Sequence, residues 1–196
     1  MIRIISCAVV LLAAATLAGC GSSPKANFYT LGPIDTPARA ETKAAYSVAI
    51  ASVGLPQMLD RPQIVTRTVA NQVTINEYER WAGPLKNEIA RAIAADLSRQ
   101  LGGATVFTYP QSGNVDAQYR VAIDVQRFDA APGDAATVEA VWTVRPLKGE
   151  AKNGRSIAHE AAQGVGYDAL VAACNRALAT VSADIAGAIR AVNDAK

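Results

Sequence analysis

The chain has 196 residues, of which 51% are hydrophobic and 18% are charged, and its formal net charge is +2. This length suits one domain or two small ones. The balanced charge argues against a nucleic-acid partner, and the hydrophobic content argues against intrinsic disorder. One histidine and three cysteines leave too few side chains for most metal sites and most catalytic triads.

The first twenty residues have the pattern of an export signal. Arg3 precedes an uncharged stretch from Ile4 to Gly19, which is shorter than the roughly 20 residues of a membrane-spanning helix. The stretch leads to Leu17-Ala18-Gly19-Cys20, which resembles the bacterial lipobox. That resemblance implies that residues 1–19 are a lipoprotein signal peptide. It also implies a diacylglycerol on the Cys20 thiol and an acyl chain such as palmitate on the new amine. An ordinary signal peptide and a short anchor helix are the alternatives.

The segment after Cys20 has the composition of a flexible tether. Gly21–Asn27 is small and polar, and its seven residues reach only about 23 Å when fully extended. We therefore expect residues 20–27 to hold a single domain, residues 28–196, close to the membrane. Gly21 stands where an aspartate would resemble an inner-membrane retention signal. The expected location is the periplasmic face of the outer membrane of a Gram-negative bacterium. The covalent lipid on Cys20 is the only non-protein group expected, with no other cofactor.

The first half of the mature chain predicts four strands and a helix. The strands are Phe28–Leu31, Tyr46–Val53, Gln63–Val69 and Gln72–Asn76, of which the last two form a hairpin. Pro84 suits the first turn of a helix, and Gly102-Gly103 ends that helix. Its apolar stripe consists of Leu85, Ile89, Ile93, Leu97 and Leu101.

The second half predicts four more strands and a second helix. The strands lie at Thr105–Tyr109, Tyr119–Gln126, Val138–Arg145 and Ser156–Val165, and the helix runs from about Tyr167 to Ala191. Burying both helical stripes requires a common sheet. The predicted fold class is therefore α+β, with one antiparallel or mixed β-sheet and two long helices packed on one face.

Candidate catalytic residues are few. Cys174 and His159 are the one available thiol and imidazole of the mature domain, but Cys174 falls on the apolar stripe of the second helix, as buried inert thiols do. Glu77 and Glu79 are interpreted as solvated charges. No metal-ligand spacing and no phosphate-binding loop occurs. We expect a protein that is not an enzyme, and a hydrolase built around His159 is the alternative.

Two segments have features of a contact surface. The loop from Leu55 to Gln63 places Leu55, Met58 and Leu59 between prolines, where they either turn back onto the core or dock on a partner or lipid. Trp81, just before the first helix, either fixes the start of that helix or forms an exposed anchor.

These segments also carry a family resemblance. Phe28-Tyr29-Thr30-Leu31 after the lipobox, Leu55-Pro56 followed by Leu59-Asp60-Arg61-Pro62-Gln63-Ile64-Val65, and Trp81 with Pro84-Leu85 resemble the ABC-type transport auxiliary lipoproteins, the family of paraquat-inducible protein C. Order and spacing agree along the first half of the mature chain, and the second half agrees only in its pattern of strands and helices. The family often has an aromatic residue where Met58 stands here.

The resemblance implies a non-enzymatic subunit of an envelope lipid-transport system. Such a subunit docks a periplasmic MCE-domain protein, and through it an inner-membrane transporter, at the outer membrane and supports membrane integrity. Family members can form rings, so a homo-oligomer is expected. A structural envelope lipoprotein with no role in cargo transport is the alternative. The contact residues carried over are Leu55, Met58, Leu59, Asp60, Arg61, Gln63 and Trp81.

Overall fold

The computed structural model describes residues 24–32, 46–113 and 115–194. The predicted signal peptide and Cys20 lie outside the described residues, so both assignments stay predictions. The described elements are β1 (Asn27–Tyr29), β2 (Ser47–Gly54), β3 (Gln63–Val69), β4 (Gln72–Trp81), α1 (Leu85–Gln100), β5 (Thr105–Phe107), β6 (Tyr119–Ala130), β7 (Ala135–Pro146), β8 (Lys152–Ala161) and α2 (Gly166–Asp194), with short 3-10 turns at Gln57–Leu59 and Gln111–Gly113.

The α+β fold class is confirmed, but the described strands form two sheets and not one. The larger sheet has the order β5-β2-β6-β7-β8, and the smaller has the order β1-β4-β3. Strand β1 pairs in parallel with β4, and β2 lies in parallel between β5 and β6. These pairings join strands that are distant in sequence. Apolar alternation assigns a strand two faces but does not identify its neighbour, so the sequence pattern did not separate the sheets.

Both helices cover one face of the five-stranded sheet. Helix α1 packs on β2 and β5, α2 packs on β6, β7 and β8, and the helices contact each other. The strand residues beneath them alternate with solvent-facing neighbours, as the period of a half-buried strand requires. The buried rows of β6 and β7 are Tyr119, Val121, Ile123 and Val125, and Val138, Ala140, Trp142 and Val144.

Helix α1 forms where its predicted stripe lies. It begins directly after Pro84, whose missing N–H costs nothing at a helix start. The four stripe residues within it are all buried. Gly102 and Gly103 follow with φ angles of +69° and +87°, a left-handed backbone that glycine adopts without strain and that ends the helix. The stripe residues are Leu85, Ile89, Ile93 and Leu97.

Helix α2 is a core helix. It is 29 residues long and, by length and composition alone, apolar enough to cross a membrane. Its stripe is instead buried against the five-stranded sheet and α1. The buried stripe residues are Leu170, Cys174, Leu178, Val181, Ile185 and Ile189.

A buried polar contact joins the two helices. The Ser182 hydroxyl on α2 lies 3.4 Å from the Asp96 carboxylate on α1 and 2.8 Å from the Leu178 carbonyl of its own helix, and Arg99 is paired with the Asp96 carboxylate. Burial raises the pKa of Asp96, while the hydrogen bond and the charge of Arg99 act in the opposite direction. The helix interface therefore contains one carboxylate that costs free energy to ionise.

The three-stranded sheet is built on the predicted hairpin. Strands β3 and β4 pair antiparallel around the turn at residues 70–71. Strand β4 continues past its predicted end at Asn76 to Trp81. Because Gln63 pairs with Arg80 and Val65 pairs with Ile75, residues 76–79 form an extended bulge. The extension brings β4 directly to the start of α1.

Candidate functional site

The loop from Leu55 to Gln63 joins the two sheets and has a defined shape. A turn of 3-10 helix forms within it, and the Leu59 N–H donates to the Pro56 carbonyl at 2.9 Å. The Arg61 guanidinium donates to the Met58 carbonyl at 2.9 Å. The loop is therefore held by its own hydrogen bonds.

The same loop is tied to its neighbours on both sides. Asp60 forms an ion pair with Lys86 in the first turn of α1, with Nζ and Oδ2 2.8 Å apart. The Gln63 side-chain amide donates to Glu77 on β4 at 2.9 Å. These links fix the loop relative to α1 and to the three-stranded sheet.

Two of the predicted contact residues belong to the core, and this corrects their assignment. Leu59 is 7% exposed and Trp81 is 4% exposed. The Trp81 ring packs edge-on against Phe128 of β6, with ring centroids 6.3 Å apart. The 3-10 turn places Leu59 inward, and Trp81, the last residue of β4, packs on β6. Both side chains are therefore buried in the core and are not available to a partner.

The remaining predicted residues form what we call the loop surface, which consists of Leu55, Met58, Asp60, Arg61 and Gln63. Met58 is 50% exposed, and Asp60 is also exposed. Leu55, Arg61 and Gln63 are half-buried. Leu55 packs partly against the core, so Met58 is the one exposed apolar residue of the loop surface and has polar groups around it. Whether a partner binds there stays a prediction.

A second group of side chains holds Leu31 and Gly32, the residues that follow β1. The Leu31 N–H donates to the Glu88 carboxylate on α1 at 3.2 Å, and the Gly32 N–H donates to the Asn175 side chain on α2 at 3.1 Å. Glu88 is 1% exposed and is also paired with Arg91. The chain that follows β1 is therefore bonded to both helices.

Strand β1 has polar anchors of its own. The Glu79 carboxylate on β4 accepts hydrogen bonds from the Asn27 side chain at 3.0 Å and from the Tyr29 hydroxyl at 2.6 Å. Burial, with the hydrogen bond to Glu79, raises the pKa of Tyr29, so the hydroxyl remains a donor. The Tyr29 ring also lies 5.9 Å from that of Tyr167 on α2.

Sequence reasoning missed these anchoring roles. The interpretation of Glu79 as a solvated charge did not foresee its bonds to β1. The burial of Glu88 could have been predicted, because Glu88 lies three residues after Leu85 and so falls on the buried side of the predicted helix. The role of Asn175 could not have been predicted, because its hydrogen-bond partner Gly32 is 143 residues away in the sequence.

The two catalytic candidates are not brought together. Cys174 is buried between α2 and the sheet, and burial raises the pKa of its thiol to about 12. His159 is exposed on β8, and its Nδ1 lies 2.8 Å from the Thr137 hydroxyl on β7. Successive strand residues face opposite sides, and Ala158 is the one buried against the helices. The imidazole and the thiol are therefore on opposite sides of the sheet.

The described residues form neither a metal-ligand cluster nor a depression lined by catalytic groups. Across residues 24–32, 46–113 and 115–194, no three His, Cys, Asp or Glu side chains lie close enough to hold a metal ion. An open depression of about 450 Å³ lies beside the turn between β7 and β8. Its lining offers no carboxylate, imidazole, hydroxyl or thiol side chain, since it consists of Gln118, Leu147, Lys148 and Gly149.

Solved structures share this fold. An uncharacterized protein superposes with a TM-score of 0.70 at 23% identity, over 85% of this chain and 99% of that one. A Xanthomonas campestris protein assigned to the DUF330 family superposes with a TM-score of 0.67 at 20% identity, over 87% of this chain and 99% of that one. At these identities the likeness concerns the fold. None of the curated proteins matches the sequence.

The sequence itself matches a family model over most of its length. The model describes the ABC-type transport auxiliary lipoprotein component, and the match covers residues 29–186, from β1 into the last third of α2. This range contains the loop surface and the anchored segment after β1. Members are membrane-anchored envelope proteins associated with ABC transport systems. The chain belongs to the ABC-type transport auxiliary lipoprotein family.

Proposed function

We propose that this chain is a non-enzymatic subunit of an envelope lipid-transport system built around periplasmic MCE-domain proteins and an inner-membrane ABC transporter. Anchored by lipid on Cys20, it docks the periplasmic component at the outer membrane and so supports membrane integrity. Family membership supports the auxiliary role in ABC transport. The sequence resemblance described above supports the MCE partner and the outer-membrane location.

The observation that carries this proposal is the short sequence separation between Cys20 and β1, a strand that is firmly held in the domain. Strand β1 begins at Asn27, seven residues after the cysteine, and Leu31 and Gly32 are bonded to α1 and α2. A diacylglycerol and an amide-linked acyl chain together anchor a protein stably, whereas a single chain binds only marginally. The lipid on Cys20 would hold the domain within about 23 Å of the bilayer.

The separation of the one described thiol from the one imidazole supports a binding role over cysteine-based catalysis. The Cys174 thiol is buried and protonated, and His159 lies on the other side of the sheet. A nucleophile needs a base within hydrogen-bond reach. A hydrolase that uses Cys174 with His159 therefore has no support from the geometry, and the Thr137 hydroxyl beside His159 lies on the exposed face of the sheet.

The loop surface is the docking site that we favour. It presents Met58 from a loop fixed by Asp60–Lys86 and Gln63–Glu77. A surface held in one conformation loses little entropy when a partner binds. Methionine contacts adapt to partner shape, which suits a position where family members often have an aromatic residue.

Copies of the chain also assemble with one another in this proposal. Strand β8 stands at the edge of the five-stranded sheet and is ten residues long. An exposed edge of this length is a template for pairing with another chain. Native mass measurement of the purified lipoprotein in detergent is expected to give a multiple of the protomer mass, and a single protomer would refute self-assembly.

Co-purification tests the transport role directly. We expect the wild-type lipoprotein, isolated from detergent-solubilised envelopes, to bring down an MCE-domain protein and the transporter. The Met58→Asp variant should fold, stay in the membrane and lose this recovery. Leu147→Asp is the matched control, because Leu147 is 69% exposed and lies at the far end of the domain.

Each outcome separates the candidate functions. Recovery of no MCE-domain protein by a folded, membrane-anchored wild type would refute the proposal and favour the structural lipoprotein. A His159→Ala variant that assembles normally but fails to complement a deletion would instead revive catalysis.

A further inference from the structure

Four described strands form the edges of the two sheets, and β8 is the least protected of them. The edge strands β1 and β5 have three residues each, and the pairing of β3 with β4 contains two register shifts. Strand β8 has ten residues, contains no proline, and pairs with β7 without a shift. Short length, bulges and proline are the usual protection of an edge against another strand. The long, regular edge of β8 is therefore available for strand pairing.

The backbone groups of every second β8 residue point away from β7. The Ala162 N–H donates to the Asp134 carbonyl at 2.8 Å and so continues the β7–β8 ladder, in which bonded and free residues alternate. The Ala161 carbonyl agrees with this alternation, since it accepts a hydrogen bond from the Arg176 guanidinium on α2 at 2.5 Å. The odd-numbered residues therefore present their N–H and C=O groups at the edge, where no other described strand lies. These residues are Asn153, Arg155, Ile157 and His159.

The side-chain row of β8 that faces the helices is complementary to itself. Its centre is small and buried, with Ser156 and Ala158, and it has Lys152 at one end and Glu160 at the other. Lys152 forms no ion pair with another described residue, whereas Glu160 is paired with Arg176 on α2. When two such strands run antiparallel, opposite charges meet at both ends of the row, and such cross-strand pairs stabilise a sheet.

This inference rests on the self-assembly proposed above and names its contact. We propose that two copies of the chain pair through β8, antiparallel, about a two-fold axis at Ser156. In this register Lys152 of each copy lies opposite Glu160 of the partner subunit. On the exposed face of the sheet, Arg155 lies opposite Ile157 of the partner subunit. The two five-stranded sheets then form one continuous sheet of ten strands.

The neighbouring registers fit the charges less well. Two identical edges pair only about a residue, because opposite residues either both bond or both do not. An axis at Ile157 would place Lys152 opposite an uncharged residue. An axis at Arg155 would place Glu160 opposite Glu150, a like charge that destabilises the pair. The charges of β8 therefore select the axis at Ser156.

Helix α2 leaves room for its counterpart in the joined sheet. It packs on β7 and β8, so the second α2 would lie two strand spacings away, about 10 Å, which is a normal packing distance for helices. Arg176 and Asp184 bond to β8 and so mark the helix row next to that strand. The same row carries Thr180 and Gly187, and an added Cβ at Gly187 would meet no atom within 4 Å. Small side chains thus stand where the two helices would meet.

The proposed contact has consequences for assembly and orientation. It is isologous and therefore closes at two copies, so a ring would use a further surface of the chain. The second copy runs in the opposite direction to the first. With the proposed lipid on Cys20, both copies reach one bilayer when the two-fold axis lies along the membrane normal. The joined sheet then lies parallel to the membrane.

Charge reversal at Lys152 tests the contact in the purified lipoprotein. Lys152→Glu places like charges opposite each other at both ends of the pairing, so the dissociation constant of the dimer in detergent should rise about tenfold. Lys148→Glu is the matched control, because it makes the same charge change in the exposed turn before β8. An unchanged dissociation constant for Lys152→Glu, or equal weakening by the control, would contradict the Lys152–Glu160 pairing.

Disulfides between single-cysteine variants test the register in native envelopes. Arg155→Cys and Ile157→Cys chains with different affinity tags would be produced together and oxidised. Opposite residues of a bonded pair have Cα atoms about 5.5 Å apart, which a disulfide spans, whereas identical positions would be about 7–8 Å apart, which it does not. Cys174 is buried and Cys20 is acylated in the proposed lipoprotein, so neither competes. Arg155→Cys removes only a partly exposed ion pair with Glu139, which contributes little stability.

The expected result is a disulfide between positions 155 and 157 of the two tagged chains, and none when either variant is produced alone. A disulfide formed by Ile157→Cys alone would overturn the register. A multimer by native mass that lacks the 155–157 disulfide would overturn the pairing and leave self-assembly through another surface intact. A single protomer would overturn both, independently of whether an MCE-domain protein is recovered. A disulfide to a different envelope protein would show that a foreign strand occupies the edge, which also overturns the pairing.

Discussion

The indole ring of Trp142 on β7 lies directly over the backbone of Gly154, its cross-strand partner on β8. A Cβ atom at position 154 would lie 2.2 Å from Cζ2 of that ring. The indole N–H donates to the Ser156 hydroxyl at 2.9 Å, and Ser156 donates to Asp184 on α2 at 2.6 Å. The missing side chain at Gly154 thus lets one tryptophan connect β7, β8 and α2.

Gly154→Ala is expected to destabilise the domain by about 1–3 kcal/mol, since the new methyl group displaces a ring that is hydrogen-bonded and packed. Thermal unfolding followed by circular dichroism measures this. Gly187→Ala is the control, because no atom lies within 4 Å of its added Cβ and alanine is the better helix former. Equal melting temperatures for Gly154→Ala and wild type would show that the ring moves aside without cost.

Leu59 and Met58 are adjacent but are expected to respond differently to truncation. Leu59→Ala should cost about 2–5 kcal/mol of unfolding free energy, because it leaves a cavity in the core, whereas Met58→Ala should change stability by less than about 0.5 kcal/mol. Urea denaturation of both variants gives the comparison. Similar losses at the two positions would contradict the placement of the 3-10 turn.

Met58 and Leu59 also show which parts of the fold the sequence could not predict. The stripe of α1 and the alternation of β6 were predicted because each repeats a period over many residues. A proline-bounded loop has no period, so nothing in the sequence distinguishes Leu59, which points inward, from Met58, which points outward. Of the seven predicted contact residues, five are exposed or half-buried, and Leu59 and Trp81 are buried.

The ends of β8 could not be predicted for a related reason. The strand was expected from Ser156 to Val165 but spans Lys152–Ala161. The predicted strand does not include Gly154, and glycine usually weakens a strand interior. In the folded protein it is required inside the strand by Trp142, a contact visible only once the pairing of β7 and β8 is known.

Asp96 is expected to make stability decrease as pH rises. Its pKa is raised in the folded protein by burial, so the folded state binds more protons than the unfolded state above the usual pKa of 3.8. Its stabilising effect is present below pH 3.8 and is lost as pH rises through the folded pKa. Asp96→Asn should therefore gain stability relative to wild type between pH 4 and pH 7.

Melting temperatures of both proteins across that range measure the difference. Ser182→Ala is a useful companion, because it removes the hydroxyl group that contacts the Asp96 carboxylate and keeps the charge of that carboxylate. A difference that moves in the opposite direction, with Asp96→Asn weakest at pH 7, would show that the Arg99 ion pair outweighs burial.

Gly21 is expected to direct the lipoprotein to the outer membrane. Gly21→Asp should move the protein to the inner-membrane fraction on a density gradient, because the change creates the pattern of a retention signal next to Cys20. Gly21→Ser provides the control that keeps a small neutral residue. An unchanged distribution of the aspartate variant would remove the support for an outer-membrane location.

The most direct test of the account is the mass of the amino-terminal peptide of the mature protein isolated from membranes. We predict a chain that begins at Cys20 and carries diacylglycerol on the thiol and a third acyl chain on the amine. A chain that begins at Met1 without fatty modification and remains in the soluble fraction would contradict the anchor, and with it the proposed docking role.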